Sequence, residues 1–207
     1  MIAKIVKGSG FREVTGYIID SKKNARIIAH AGLFIEDVTT ITKAFEAQAG
    51  MNPKVSRPVG HIALGFSKED ESRLTSRIMA EIALEYMERM GIRNTQFFIA
   101  RHFDKEHPHI HIAYNRIDND GRTISDKNER LRSARICKEL TLKYGLYMAK
   151  GKDHVKTERL REPDKTKYEL YSLLKNGSQK GRKLEGADCR IKRKGSGCTV
   201  QIQGKIR

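Results

Sequence analysis

Tryptophan is missing from the 207 residues, and aromatic residues make up only 7% of them. A binding surface built mainly on stacked aromatic rings is therefore disfavoured. No apolar run approaches 18 residues, so no membrane-spanning helix is expected. The opening stretch, MIAKIVKGSG, lacks the apolar core of a secretory signal. Cysteine is scarce: Cys137, Cys189 and Cys198 are odd in number and widely spaced. They form neither a disulfide framework nor a CxxC metal knuckle, and a reducing cytoplasm is the simplest expectation. No Walker phosphate-binding motif occurs, so nothing points to nucleotide hydrolysis. Acidic residues are outnumbered, 25 against 41 lysines and arginines, which leaves a net charge of +16. A surplus of that size favours a polyanionic partner, with nucleic acid ahead of an anionic membrane surface. The plain alternative is a generally basic, soluble protein.

What is present reads as alternating strands and helices. Residues 1–7 read as a strand, broken by Gly8 and Gly10. A helix follows with Phe11, Val14 and Ile18 on one face, and a second covers DVTTITKAFEAQAG up to Gly50. RPVGHIALGF alternates as a strand, with Ile62, Leu64 and Phe66 facing one way and His61, Ala63 and Gly65 the other. Ser67 and Asp70 match a capping box, which predicts a long helix from there to Met90, closed by Gly91. TQFFIARH and IHIAYNRI read as strands, and residues 126–145 as a helix ending at Gly145. The expectation is an α+β domain over residues 1–150, an antiparallel sheet with packed helices. Residues 151–207 carry 16 basic and 7 acidic residues, a net +9. They read as a short helix around KYELYSLLKNG and a basic hairpin turning at Gly195–Gly197, a DNA-contacting extension of the same domain.

Four of the seven histidines fall in RHFDKEHPHIHIAYN, residues 101–115. Side chains alternate along a strand. His109, His111, Ala113 and Asn115 therefore share one face of the second strand, while Ile110, Ile112 and Tyr114 share the core face. On the first strand, Gln96, Phe98, Ala100 and His102 share a face. FDKEHP is short enough for a hairpin loop, which brings His102 beside His109 and His111. One strand histidine is ordinarily structural or surface-exposed. Three on one rigid sheet face can hold a divalent ion and leave coordination positions open, the layout of a catalytic metal. His107 falls in the loop, as an outer contact at most. Asp104 and Asn115 are candidates for groups behind the ligands or for proton transfer, and Asp104 reads equally well as a polar loop residue.

HFDKEHPHIHIAYNRI resembles the metal-binding motif of conjugative relaxases of the HUH endonuclease class. GSGFREVTGYI, RPVGHIALGFSKED and NRIDNDGRTISDKNERLRSARICKELTLKYGL extend the resemblance over most of residues 5–175, toward relaxases of mobilisable elements of Bacteroides-type bacteria. The resemblance implies an HUH-type fold with the triad on a central sheet face. It implies strand-specific DNA nicking and rejoining at an origin of transfer, with Tyr17 as nucleophile and His102, His109 and His111 as ligands. Tyr17 precedes the triad, the order of relaxases, and without the resemblance it reads equally as an aromatic at a helix margin. The product is a 5′-phosphotyrosyl link and a free 3′-hydroxyl, which retains the bond energy for rejoining.

The implied cofactor is Mg²⁺ or Mn²⁺, although an all-imidazole shell binds later transition metals more tightly. The phenol, with an ordinary pKa of ~10, needs a nearby positive field or a base. The metal, Lys7 or Arg12 can supply the field, and Asp104 or His107 can take the proton. Lys7, Arg12, Arg101, Arg116, Arg122, Arg130, Arg132 and Arg135 are the candidate DNA contacts, with the basic residues of 190–194. Each of these alone is more often a solvated charge than a contact. Implied partners are single-stranded origin DNA, accessory mobilisation proteins and a coupling protein, in a bacterial cytoplasm. Relaxases often continue into further domains, so the chain can be part of a longer protein. The rivals are a rolling-circle replication initiator or transposase, which needs a tyrosine after the triad such as Tyr144, and a non-catalytic nucleic-acid binder with structural zinc.

Overall fold

The computed structural model describes residues 1–148, 162, 164–179, 192–194 and 197–199. The chain divides into two units, Met1–Ala149 and Lys150–Arg207.

The first unit is an α+β fold on one antiparallel sheet. Its strands are β1 (Ile2–Gly8), β2 (Arg26–Ala31), β3 (Val59–Gly65), β4 (Phe97–His102) and β5 (His109–Asn115). They lie in the order β1-β3-β5-β4-β2, so β3, β5 and β4 are interior. Four helices pack on it: α1 (Phe11–Ile18), α2 (Val38–Ala49), α3 (Ser76–Arg89) and α4 (Glu129–Lys143). The period of two in the strands separates two cores. Ile62, Leu64, Ile99, Ile110, Ile112 and Tyr114 point to one face and pack with α3 and α4. Val59, Phe98, Ala100 and Ala113 point to the other and pack with Phe11 and Ile18 of α1 and Ile41 and Phe45 of α2.

Helices α3 and α4 end as their glycines predict. Gly91 and Gly145 have φ of 74° and 59°. In each case the glycine N–H and the next N–H return to carbonyls of the last turn, Gly91 to Glu88 and Ile92 to Met87, then Gly145 to Leu142 and Leu146 to Thr141. Ile92 and Leu146 are then buried.

The start of α3 differs from the capping-box expectation. Residues Lys68–Arg73 form a 3-10 turn, and α3 begins only at Ser76, capped by the Thr75 hydroxyl, which accepts from the Ile78 N–H at 3.3 Å. Ser67 is engaged with Glu69 instead. Asp70 is buried, and both its carboxylate oxygens accept from the Tyr147 N–H, at 2.9 and 3.0 Å. A distant partner claims the acid that a local cap would have used. Strand β2 was not apparent in the sequence: RIIAHA is short and does not alternate cleanly, and as an edge strand it meets only one neighbour.

In the second unit, α5 (Asp164–Gln179) covers and extends the predicted short helix, and β6 (Lys192–Lys194) pairs with β7 (Gly197–Thr199) as an antiparallel hairpin. Arg190 and the other parts of the predicted hairpin lie outside the described residues. No helix among the described residues is long and apolar enough to cross a membrane.

Candidate metal centre and its tyrosine

The β4–β5 hairpin sets the histidine geometry by register. His102 stands opposite His109, and Ala100 opposite His111. Direct cross-strand neighbours share a face, so the three imidazoles converge as the spacing predicted. All three are buried, and one nitrogen from each ring lies within 4.8 Å of the others.

The other nitrogen of each ring already has a partner. His102 Nε2 lies 2.7 Å from the Ile18 carbonyl, His109 Nδ1 3.2 Å from the His107 carbonyl, and His111 Nδ1 2.9 Å from His61 Nε2. Inward-facing nitrogens are left over: His102 Nδ1 and His109 Nε2 are buried with no hydrogen-bond partner. Asp104 Oδ1 stands 3.2 Å from His109 Nε2, without the alignment of a hydrogen bond. Buried polar atoms without partners are costly, and a divalent ion would satisfy these. The donor set is all imidazole with outer hydrogen-bond partners behind it, the arrangement that metal-ligating histidines adopt. The three histidines therefore fit a metal ion.

Burial also keeps the rings uncharged. It lowers the pKa of His102 and His109, and pushes His111 down to about 3 and His61 to about 4, with the neighbouring imidazoles acting in the same direction on His61 and His111. Neutral imidazole is the ligating form, so the protein holds these side chains ready for an ion near pH 7.

Tyr17 lies beside this cluster. It occupies the last turn of α1 with its side chain about half exposed (49%). Its ring meets His111 and His61 edge-on, at centroid distances of 5.7 and 5.8 Å. Two tethers hold it there. The His102–Ile18 hydrogen bond anchors the end of α1 to the triad. The Lys23 ammonium donates to the Tyr17 carbonyl at 2.6 Å and stands 2.9 Å from the centre of the Tyr17 ring. Residues 85 positions apart in sequence thus line one site.

Several other predicted site residues are placed elsewhere. Asn115 shares the triad face but sits at the far end of β5. There it donates to the Phe45 carbonyl at 2.9 Å and accepts from the Ile117 N–H at 3.1 Å, and it contacts no imidazole. It braces α2 rather than backing the metal site. His107 stays beside the triad as an outer contact: its carbonyl meets His109, and its exposed ring stands 5.6 Å from that of His109. Lys7 lies opposite Gly60, on the α4 side of the sheet, and pairs with Asp126 and Glu129 at 2.6 and 2.8 Å. It cannot supply the field at Tyr17, contrary to expectation. Arg101, one residue before His102, points to the opposite face and donates to the Leu74 carbonyl at 3.0 Å. Arg116 is buried, held by the Arg57 carbonyl and Asp126. Arg130, Arg132 and Arg135 belong to α4, beyond the sheet from the triad, where Arg132 donates to Ser125 and Arg135 pairs with Glu139. Arg12 and Arg122 are exposed. Alternation explains Lys7 and Arg101: a shift of one residue along a strand moves a side chain to the other face.

Three neighbours of the triad were not singled out from the sequence. His61 comes from β3, Lys23 from the turn after α1, and Lys4 from β1, where it stands opposite Ala63 on the triad face. His61 had a usable signal in its face of β3, but only the β3–β5 pairing shows that this face continues the histidine surface.

The sequence model of the family described as "Relaxase: MobA/VirD2-like, nuclease domain" matches residues 17–146, more than half of the chain. No curated protein matches it.

Proposed function

The chain belongs to the relaxases with a MobA/VirD2-like nuclease domain, and on that premise we propose that it nicks and rejoins one DNA strand at an origin of transfer, with Tyr17 as nucleophile. A relaxase nuclease domain acts on DNA, which agrees with the +16 charge. The observation that carries the tyrosine assignment is the position of its half-exposed ring 5.7 Å from that of His111.

The Tyr17 oxygen attacks phosphorus in line, forming a Tyr–O–P bond as the bond from phosphorus to the 3′-oxygen breaks. The phosphate stays on the 5′ side, the phenol proton passes to a nearby base, and the departing 3′-oxygen takes up a proton from solvent to become a hydroxyl. Asp104, whose carboxylate lies 3.2 Å from His109, is the favoured acceptor. Lys23, against the Tyr17 ring, supplies positive charge beside the developing phenolate. His102, His109 and His111 would hold a divalent ion, Mg²⁺ or Mn²⁺, which would supply Lewis-acid charge to the reacting phosphodiester. Attack by a 3′-hydroxyl on the phosphotyrosine reverses the step and frees the phenol. The basic segment 151–207 extends the DNA contact, and the work is done in a bacterial cytoplasm with accessory mobilisation proteins and a coupling protein.

A rolling-circle initiator or transposase needs a tyrosine after the triad. The hydroxyl of Tyr144, one such residue, donates to Glu85 at 2.9 Å within the α3–α4 layer, which does not favour it as that nucleophile.

The test incubates the protein and Mg²⁺ or Mn²⁺ with labelled single strands tiling the element's origin of transfer. A denaturant-resistant adduct is expected. It should vanish with Tyr17→Phe, fall sharply with His109→Ala, and be lost with EDTA. An adduct that survives Tyr17→Phe refutes the assignment.

A further inference from the structure

His102, His109 and His111 do not have the same surroundings. His102 and His109 lie at the strand ends, next to the hairpin loop, and each gives one nitrogen to a backbone carbonyl, Ile18 or His107. His111 lies in the interior of the sheet, where backbone carbonyls are occupied by the ladder. Its direct cross-strand neighbours, Ala63 on β3 and Ala100 on β4, carry no polar side-chain atom. Its outer nitrogen would be orphaned but for His61, one diagonal step along β3. His61 is opposite Ala113, whose small side chain leaves room for the imidazole to lean toward His111. The two ring centroids are 5.1 Å apart, and Nε2 of His61 is 2.9 Å from Nδ1 of His111.

We propose that His61 is a positioning residue of the metal centre: its Nε2 accepts the Nδ1–H of His111 and thereby holds His111 in the tautomer and ring orientation that turn the Nε2 lone pair toward the ion. The inference rests on the triad reading above. A neutral imidazole has one N–H and one lone pair, so the direction of this hydrogen bond decides the chemistry. With His111 as donor, its Nε2 is free to ligate. With His61 Nε2 as donor, the proton of His111 sits on Nε2 and blocks ligation. An ion selects the first arrangement, in which His61 carries its own proton on Nδ1. A side-chain acceptor here does what carbonyls do for the other two ligands. His61 also meets Tyr17 edge-on at 5.8 Å, so one side chain touches both the triad and the tyrosine.

The test measures Mn²⁺ affinity by electron paramagnetic resonance of the free ion, in the full chain without DNA. Four proteins are compared: wild type, His109→Ala, His61→Leu and His61→Gln. Leucine keeps the bulk of the side chain without an acceptor, and glutamine restores a carbonyl that can accept. Loss of an outer-shell partner typically weakens metal binding about 10–100-fold, which is the result expected for His61→Leu. His61→Gln should recover most of that affinity, with thermal midpoints alike in both. Wild-type affinity in His61→Leu overturns the proposal, and so does equal weakening in the two variants. If His61→Leu fails to fold, His61→Ala replaces it, with the same expectation. If wild type binds no Mn²⁺, or His109→Ala binds as wild type does, the triad reading itself falls; the other results leave that reading standing and decide only the role of His61.

Discussion

Gly60 offers a sharp test of how β3 fits against β5. It stands directly opposite Tyr114 on the face away from the histidines. The Tyr114 ring lies across it: a Cβ built on Gly60 would collide with Cε1 and Cζ and stand 2.7 Å from Cδ1. Tyr114 is 5% exposed and packed within the α3–α4 core, so the ring cannot simply swing outward. Gly60→Ala therefore forces an overpacked core, at about 1–3 kcal/mol. Removing a glycine from a strand returns roughly 0.5–1 kcal/mol, leaving a net loss of up to about 2.5 kcal/mol. For a unit of this size that lowers the melting midpoint by up to roughly 10 °C. The assay is urea and thermal unfolding followed by far-ultraviolet circular dichroism, because the chain has no tryptophan. The control is the same substitution in a Tyr114→Ala background, where the collision is gone and Gly60→Ala should be neutral or stabilising. Equal losses in the two backgrounds would refute the steric argument, because independent sites add and clashing ones do not.

Stability should also fall in acid through Glu85, whose carboxyl is pulled down from 4.5 to about 2, first by the Lys143 bond and then, against burial, by Tyr144 and Arg89. A depressed folded pKa stabilises above the unfolded value and is lost on acidification, so this contribution should disappear between about pH 4.5 and 2; urea midpoints of wild type and Glu85→Gln should converge across that window, and parallel curves would contradict it. Lys23→Ala should slow adduct formation while lowering the unfolding midpoint by only a few degrees, since a cation over an exposed aromatic ring contributes about 0.5–1 kcal/mol. An unchanged adduct rate would show that Lys23 does not act on Tyr17.

The sequence by itself determined what is local. The H-x6-H-x-H hairpin could be read because a strand has period two and the FDKEHP loop is short, so three histidines can share a face; the register that sets His102 opposite His109 makes them do so. The glycine ends of α3 and α4 could be read because the left-handed closing residue is nearly always glycine. Tyr17 was reached through resemblance, for spacing alone left it an ordinary aromatic at a helix margin. Tertiary structure decided the rest. It decided which strand flanks β5, and so brought His61 to His111 from 50 positions upstream. It decided parity for the basic residues, sending Lys7 and Arg101 to the α3–α4 face and leaving Lys4 and Lys23 near the site. It gave Asp70 to the Tyr147 N–H rather than to a cap. The physical reason is the same each time: alternation and capping act within a few residues, whereas strand order and buried polar pairing are settled only when distant segments compete for the same neighbours.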